Sequence, residues 1–508
     1  MKIILVAVNA KYIHTCLAVH SLHAALGGAA HAEVREYTVN QPEELILSEL
    51  FGAKPDMVAF SCYIWNIEMI ASLAGSLKKV LPSVKIVMGG PEVSYGDAPA
   101  VADIVVSGEG EKAFCEMATG RSHRPVEAPP FPYADLSEFA NRILYYESSR
   151  GCANECAYCL SPAEGRGVRF FPIEKVKEDL LRFLAANVRQ VKFIDRTFNS
   201  SKRRAMEIWR HLIGNDNGAT NFHFEIAGDL LDDEVFELLG QARAGLFQFE
   251  IGVQSTNTET LTAIRRRTDT EKLLQNVRKL KSLGNIHLHL DLIAGLPHEG
   301  YERFVRSFND VMAVRPHKLQ LGFLKLIKGT ALRRDAEKYG MKFKDRAPYE
   351  ILENKYISFE HINRLKKAEN MVDIFYNSSG FGKSVGYLMQ QAEMPYAFFD
   401  ELAAFWEANG FHMLSHKKSA LYGALYAFSR KSRQDRLICE LLKFDMLSRE
   451  NVRSFPPWIE EYYTYSHKDV TRTTALHSFD YDIDTFEAKQ LKVLFNYSSS
   501  PTYEVFGR

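Results

Sequence analysis

The feature that most constrains the fold is a regular alternation of short apolar strands with amphipathic helical stretches, which occurs twice along the chain. Helical patterns such as Cys16–Leu26 and Ile67–Val80 separate the strands of the first run. Strands joined through helices form parallel sheets, so residues 1–118 are expected to be a doubly wound, Rossmann-like α/β domain. The five strands predicted in this domain are Ile3–Val8, Ala32–Tyr37, Met57–Ser61, Lys85–Met88 and Ile104–Ser107.

The second run of strands and helices covers residues 146–345 and predicts a partial (β/α)6 barrel, because full eight-fold repetition is not visible. Residues 119–145 before it are a predicted linker that contains Pro125, Pro129, Pro130 and Pro132. Residues 346–508 after it mix aromatic and charged side chains at helical spacing, and they predict a mainly helical C-terminal domain with a Tyr-rich tail. The predicted barrel strands are Tyr145–Ser148, Gln190–Ile194, Asn221–Ile226, Leu246–Gly252, His287–Ile293 and Lys318–Phe323.

Charge and hydropathy exclude several classes of protein. The 508 residues have a formal net charge of zero, which argues against a generic nucleic-acid-binding surface. The basic run Arg265–Arg267 is expected to be a solvated helix end or loop. No stretch approaches the roughly 20 apolar residues of a membrane span, and the N-terminal apolar run is shorter than a signal peptide requires. Three clustered and four scattered cysteines suit a reducing compartment, so we expect a cytoplasmic protein.

Polar or Gly-rich segments follow the strands of the N-terminal sheet. In parallel sheets, ligands bind over the carboxyl ends of the strands, and glycine lets the backbone approach a ligand closely. Several such loops at one edge favour a large ligand there, although glycine also simply ends strands tightly. The candidate ligand residues on these loops are Asn9, Tyr12, His14, Ser61, Tyr63, Gly89, Gly90, Pro91, Gly108, Glu109, Gly110 and Glu111.

Three cysteines follow the first predicted barrel strand. Cys152, Cys156 and Cys159 are separated by three and two residues, so their thiolates can hold one corner of a [4Fe–4S] cluster. Such a cluster needs four ligands, and three local cysteines leave one iron open to a substrate or cofactor. A structural zinc site would need a fourth Cys or a His at short spacing, whereas the next downstream histidine is His211.

The C-x-x-x-C-x-x-C motif with Tyr158 before the third cysteine resembles the radical S-adenosylmethionine superfamily. Further family-like segments are Asp195–Asn199 (D-x-x-F-N), Glu250–Ser255 (E-x-G-x-Q-S) and Asp291–Glu299 (D-x-I-x-G-L-P-x-E), where His298 replaces the usual glycine. The resemblance covers roughly residues 1–345. It implies that the open iron binds S-adenosylmethionine and that cleavage of this cofactor yields a 5′-deoxyadenosyl radical. The residues implied to bind the cofactor are Tyr158, Asp195, Glu225, Glu250, Gln254 and Ser255.

The N-terminal sheet, with V-x-G-G-P at Val87–Pro91 and G-E-G-E at Gly108–Glu111, resembles the cobalamin-binding domain of cobalamin-dependent radical enzymes. The D-x-H-x-x-G signature of a lower cobalt ligand is absent. His14 lies in the loop where that ligand would come from, but a loop or helix-capping role is the stronger expectation. The long helical tail is similar to a set of proteins with an uncharacterised C-terminal domain, and this similarity implies no substrate.

Together these resemblances imply a class B-like radical methyltransferase that uses cobalamin to methylate an unactivated carbon. Such an enzyme takes electrons from a reducing partner such as a flavodoxin or ferredoxin. Two alternatives keep radical chemistry: a rearrangement or cyclisation, or an RNA methylthiotransferase with a second cluster involving Cys16, Cys62 and Cys115. A third alternative is a non-catalytic corrinoid carrier or redox sensor. An iron content of about four per chain fits one cluster, and about eight would favour the methylthiotransferase.

Overall fold

The computed structural model of the chain describes residues 1–122, 127–161, 167–430, 435–452, 454–460, 471–498 and 501–506. The chain is divided into two compact units. The first comprises Met1–Gly300 and Gly322–Ser358, and the second comprises Tyr301–Leu321 and Phe359–Arg508. Pro125 of the predicted linker and residues 461–470 of the Tyr-rich tail lie outside the described residues. The division into three domains and a linker that is expected from the sequence stays a prediction.

A five-stranded parallel sheet begins the first unit, with strand order β2-β1-β3-β4-β5. The predicted doubly wound topology is therefore confirmed. The strands are β1 (Lys2–Asn9), β2 (His31–Thr38), β3 (Met57–Ser61), β4 (Lys85–Gly89) and β5 (Ile104–Val106). The helices are α1 (Leu17–Leu26), α2 (Glu43–Ala53), α3 (Ile67–Val80), α4 (Pro91–Ser94) and α5 (Gly110–Thr119).

Both faces of this sheet are buried, because its strands are apolar at successive positions rather than at alternate ones. Ile4 and Val6 of β1 pack with α2 and α3 on one face. Ile3 and Leu5 of the same strand pack with α1 and α5 on the other face. Full burial of each such side chain contributes about 1.5–3 kcal/mol relative to exposure, so the two cores hold the sheet as a rigid support for its loops.

A second sheet in the order β6-β9-β10-β11-β12-β13 confirms the predicted six-stranded partial barrel. Every pairing from β6 to β12 is parallel. The strands are β6 (Ile143–Tyr146), β9 (Gln190–Phe193), β10 (Asn221–Ile226), β11 (Phe247–Gln254), β12 (His287–Ala294) and β13 (Lys318–Phe323), with a hairpin of β7 (Ser149–Gly151) and β8 (Val168–Phe170) after β6. Helices in this part are α6 (Ile173–Ala185), α7 (Lys202–Gly214), α8 (Asp233–Leu239), α9 (Thr258–Ala263) and α10 (Thr270–Leu283), and further short elements are Ala331–Arg334, Lys342–Phe343 and Ile351–Glu353.

Carboxylates of the N-terminal domain contact cations and hydroxyls of the linker and barrel within the first unit. Glu36 pairs with Arg142 at 2.5 Å, and both side chains are almost buried. Glu92, 2% exposed, accepts a hydrogen bond of 2.9 Å from Tyr349 and lies 4.0 Å from Lys328. Charge-assisted contacts of low exposure have specific geometry, so they fix how the sheet edge meets the barrel.

The second unit is mainly helical, as predicted, but it also contains a three-stranded antiparallel sheet that the sequence analysis did not identify. The strands of this sheet are Thr474–Tyr481, Ala488–Asn496 and Thr502–Phe506. Alternation in the middle strand, where Leu491, Val493 and Phe495 are buried, was the available signal. The helices are Tyr301–Met312, Phe359–Met371, Gly382–Gln391, Pro395–Ala408, Lys418–Ser429, Asp435–Leu447 and Pro457–Glu460.

Among the described residues, no helix combines the length and the apolar character needed to cross a membrane.

Candidate functional site

The cysteine loop follows the β7 strand directly. All three thiols are unpaired; Cys156 is buried, and Cys152 and Cys159 are half-buried. The Asn154 amide donates to Cys152 Sγ at 3.4 Å, and the Ser161 amide donates to Cys159 Sγ at the same distance. N–H donors to sulfur stabilise thiolate charge, which is an arrangement that suits ligands of an iron–sulfur cluster.

Asp195 anchors the segment before the cysteine loop. Its carboxylate is 2% exposed and accepts hydrogen bonds from the Ser148 amide (2.9 Å), the Ser148 hydroxyl (2.7 Å) and the Ser149 hydroxyl (2.5 Å). Burial raises the pKa of this carboxyl, and these donors oppose the rise. The structure therefore places Asp195 behind the loop as an anchor, and its predicted contact with S-adenosylmethionine stays a prediction.

Arg266 is a site residue that the sequence analysis did not identify. Only Arg265 and Arg267 of the basic run are exposed as expected. Arg266 Nη1 lies 3.9 Å from Cys156 Sγ and 3.3 Å from the Tyr158 hydroxyl oxygen. Burial raises the pKa of the Cys156 thiol, and the positive charge of Arg266 opposes this rise. Arg266 thus supplies a cation beside the predicted cluster and orients Tyr158.

Gln254 ends β11 at a bulge, where the register with β12 shifts between Gly252 and Gln254. Its φ is 69°, a left-handed conformation that non-glycine residues rarely adopt. A Cβ on Gly252 would lie 2.2 Å from Gln254 Nε2, so the Gln254 side chain folds closely over that glycine. Gln254 Oε1 is buried and has no hydrogen-bond partner among the described residues. Backbone strain beside an unsatisfied polar atom is typical of a position that binds a ligand.

A charged layer fills the barrel below this position. Glu250 Oε2 lies 2.8 Å from Lys192 Nζ and 2.9 Å from His223 Nε2, and His289 Nε2 lies 3.1 Å from Asp291. Burial alone would raise the pKa of Glu250, but the His223 ring 2.9 Å away and the Lys192 charge outweigh it and hold that pKa well below its usual range. Glu250 is therefore charged and held by its neighbours.

Glu225 and Ser255 take different positions around this layer. Burial raises the pKa of Glu225 to about 7, with Lys192 opposing the rise. Lys192 is 3.9 Å away, which leaves the carboxylate available to a hydroxyl or ammonium group. Ser255 is fully buried and donates to Glu299 at 2.7 Å, so it supports the turn after β11. The predicted role of each in cofactor binding stays a prediction.

His298 has a left-handed backbone, with a φ of 61°, which is a conformation that favours glycine. Its Nδ1 lies 2.7 Å from Glu259 Oε1, and its Nε2 lies 3.3 Å from the Tyr356 hydroxyl oxygen. These side-chain contacts hold His298 in a conformation that is otherwise unfavourable, so the turn keeps a glycine-like backbone.

A cavity of about 430 Å³ lies where the N-terminal sheet meets the barrel within the first unit. This volume is within the usual range of ligand pockets. Apolar Leu22, Val87 and Phe114 of the N-terminal domain line it, and so do Gly151, Leu160 and Ser161 of the barrel part. Nine of the candidate ligand residues at the sheet edge line it: Ser61, Tyr63, Gly89, Gly90, Pro91, Gly108, Glu109, Gly110 and Glu111.

The other three candidates of that edge, Asn9, Tyr12 and His14, are not among the residues that line this cavity. Asn9 donates to the His14 carbonyl at 3.0 Å, and Tyr12 is 73% exposed. His14 Nδ1 lies 2.8 Å from the Tyr145 hydroxyl oxygen, and the His14 backbone bridges to Ile143, the first residue of β6. Burial, followed by nearby lysine and arginine charges, lowers the pKa of His14. His14 therefore contacts the start of β6, whereas the cysteine loop lies beyond the end of β6.

The scattered cysteines of the N-terminal domain occupy both faces of its sheet. Cys62 packs with α2 and α3. Cys16 and Cys115 pack with α1 and α5 on the opposite face. Burial raises the pKa of all three thiols. Because the sheet separates Cys62 from the other two, they do not form the cysteine set that a second cluster would require.

Three family descriptions match consecutive parts of the chain. Residues 3–118 match "B12 binding domain" and residues 146–311 match "Radical SAM superfamily". Residues 337–506 match "Protein of unknown function (DUF4080)".

Curated relatives share about a quarter of the aligned residues. A 2-(S-pantetheinyl)-carbapenam-3-carboxylate methyltransferase of Streptantibioticus cattleyicolor is 29% identical over 309 residues, which are 50% of this chain and 44% of that protein. Hopanoid C-3 methylase of Methylococcus capsulatus is 26% identical over 298 residues, 51% of this chain and 56% of that protein. The chain therefore spans about half the length of the curated relatives that it matches.

The solved structure of the cobalamin-dependent S-adenosylmethionine radical enzyme OxsB, with aqua-cobalamin and S-adenosylmethionine bound, has the same fold. It superposes with a TM-score of 0.57 at 15% identity and covers 87% of this chain and 78% of that chain.

Proposed function

Because this chain belongs to the radical SAM superfamily and carries a B12 binding domain ahead of the radical SAM domain, we propose that it is a cobalamin-dependent radical S-adenosylmethionine methyltransferase. A [4Fe–4S] cluster on Cys152, Cys156 and Cys159 would support reductive cleavage of S-adenosylmethionine to a 5′-deoxyadenosyl radical, and cobalamin would carry the methyl group for an unactivated carbon. One observation carries this proposal: the cysteine loop and the Gly-rich loops of the N-terminal sheet line the same cavity.

The donor set fits the cluster and its cofactor. Three unpaired thiols on one loop, two of them accepting backbone N–H donors, are suitable ligands for three irons. Gln254 Oε1 and Arg266 Nε are buried polar atoms without hydrogen-bond partners among the described residues, and both lie on segments beside Gly252. S-adenosylmethionine carries amino, carboxylate and ribose groups that could satisfy such atoms. Tyr158, held by Arg266, would border the adenine.

The lining of the cavity suits part of a large amphipathic ligand such as cobalamin. Apolar residues of the sheet and of α1 line the cavity, and the glycines in its lining allow close approach of a bulky ring. The lining also includes Gly151 and Ser161, which flank the three cysteines, so a ligand held there would lie beside the cluster. These residues would bind and orient both cofactors and exclude water from the reacting carbon.

The reducing electron is proposed to come from a flavodoxin or ferredoxin. A cluster with half-buried ligands can accept an electron from a docked protein without a covalent link. Because Cys152, Cys156 and Cys159 must stay reduced to bind iron, we propose a reducing compartment, the cytoplasm.

The decisive experiment uses S-adenosylmethionine with a trideuterated methyl group. Anaerobically reconstituted full-length protein is supplied with hydroxocobalamin and a low-potential reductant, and products are followed by mass spectrometry. We expect release of 5′-deoxyadenosine and transfer of the label to the bound corrinoid. Release of 5′-deoxyadenosine without corrinoid labelling would favour rearrangement or cyclisation, and release of neither product would contradict radical catalysis altogether.

Replacing His14 by alanine is expected to leave the axial ligands of cobalt unchanged. Its Nδ1 is engaged by Tyr145, and the described residues lining the cavity include no histidine. The measurement is the electron paramagnetic resonance spectrum of bound cob(II)alamin, with Tyr145→Phe as the matched control. Nitrogen splitting that is present in the unchanged protein and lost in His14→Ala would instead identify His14 as the lower ligand.

A further inference from the structure

Arg150 lies two residues before Cys152, and its guanidinium contacts three carboxylates. Nη2 and Nη1 donate to the two oxygens of Glu111 at 2.5 and 3.2 Å. Nη1 also donates to Glu109 at 3.0 Å, and Nε donates to Glu147 at 2.9 Å. The contact with Glu111 is bidentate, the geometry that fixes the plane of an arginine most firmly.

These contacts join two different domains. Glu109 directly precedes α5 of the N-terminal domain and Glu111 lies in the first turn of that helix, whereas Glu147 and Arg150 follow the end of the first barrel strand, β6. Glu109 additionally accepts hydrogen bonds of 2.7 and 2.8 Å from Arg169 of β8. Both strands of the β7–β8 hairpin are therefore tied to a single loop of the N-terminal domain.

The network lies on the wall of the cavity, and its centre is the least exposed part. The side chains of Arg150 and Glu111 are 19% and 12% exposed. Glu109, Glu111, Glu147, Arg150 and Arg169 all line the cavity. Removing one partner of a poorly exposed ion pair costs more free energy than removing one partner of a surface pair, because the remaining charge is left without compensation.

We infer that Arg150 is a positioning residue that holds the start of the cysteine loop against the Glu109–Glu111 loop and so fixes the separation between the cavity ligand and the cluster. It acts through Glu111 rather than by touching a reacting group. The identity of the two cofactors rests on the proposed function above. The geometry of the ion pairs does not depend on it. Glu109 and Glu111, expected from the sequence to contact the corrinoid, would thus shape its site through Arg150.

The test compares Arg150→Lys, which keeps the charge but loses the bidentate geometry, with Glu111→Gln and the double variant. Arg243→Lys is the matched control, because Arg243 pairs with Asp216 at 2.7 Å elsewhere in the barrel. The first readout is the dissociation constant of hydroxocobalamin from spectral titration. The second is the magnetic interaction between cob(II)alamin and the reduced cluster, which reports their separation and is not affected by a simple loss of stability.

We expect each single variant to weaken corrinoid binding by about tenfold and to alter the magnetic interaction, whereas Arg243→Lys does neither. The double variant should bind hydroxocobalamin about as tightly as the weaker-binding single variant, because Arg150 and Glu111 act as one unit. Unchanged affinity and magnetic interaction in Arg150→Lys would overturn the inference while leaving the proposed function intact. Failure of the unchanged protein to bind hydroxocobalamin would overturn the proposed function and, with it, the coupling.

Discussion

Cys156→Ser is expected to lower the iron content from about four per chain to below about one and to abolish the cleavage of S-adenosylmethionine. Cys156 is the middle cysteine of the loop, is 7% exposed and lies beside the Arg266 guanidinium. A serine oxygen is a poorer ligand for iron than a thiolate, and the loss of one of three ligands leaves the cluster attached by two. The readouts are iron and sulfide analysis, the spectrum of the reduced cluster, and 5′-deoxyadenosine release, which should fall by at least about a hundredfold.

Cys62→Ala and Cys115→Ala are the controls for this variant. These cysteines are buried on opposite faces of the N-terminal sheet, so neither is expected to change the iron content. Each of these two substitutions should only lower the free energy of unfolding, by about 1 kcal/mol, because a small buried side chain is lost. An iron content near eight in the unchanged protein, falling by half in either control, would contradict the single-cluster assignment and favour the methylthiotransferase alternative.

The fold was predictable from the sequence because strand burial is a local signal. The runs Met57–Ser61 and Asn221–Ile226 are strands with the same bounds in the sequence and in the structure. Such runs are apolar or alternate over a few residues and end at glycine or polar residues, so no knowledge of distant contacts is needed. The C-terminal sheet was missed although Leu491, Val493 and Phe495 alternate, because aromatic residues at mixed spacing around it suggested helices and an irregular tail.

The site was predictable only in part. The cysteine loop is encoded by local spacing, whereas Arg266 is 110 residues from Cys156 and Arg150 is 39 residues from Glu111. Such pairs depend on the register of strands and on how two domains meet, which a single sequence does not reveal. One signal was available for the charged layer: His223 and Glu225 alternate with buried phenylalanines on β10. Polar residues at every second position of a buried strand indicate a polar barrel interior.

Gly151→Ala is expected to disrupt the cysteine loop from the backbone side. Gly151 has a φ of 91°, and an added Cβ would lie 1.9 Å from the Gly167 carbonyl oxygen of the neighbouring segment. Because that neighbour is backbone, the β7–β8 hairpin must separate to make room. We expect a loss of about 3–4 kcal/mol in the free energy of unfolding, from positive-φ strain plus the steric conflict. Unfolding by denaturant gives this value, and iron analysis of the folded fraction should show incomplete cluster incorporation.

Gly167→Ala is the matched control, because Gly167 also has a positive φ, of 65°, but an added Cβ meets nothing within 4 Å. Its cost should be limited to the strain of a left-handed alanine, about 1–2 kcal/mol, with iron content unchanged. The difference between the two variants isolates the close approach of the two backbones beside Cys152. Equal losses of unfolding free energy and full iron incorporation in both variants would show that the hairpin can move without disturbing the cysteines. Gly151 would then have no part in holding the cysteine loop.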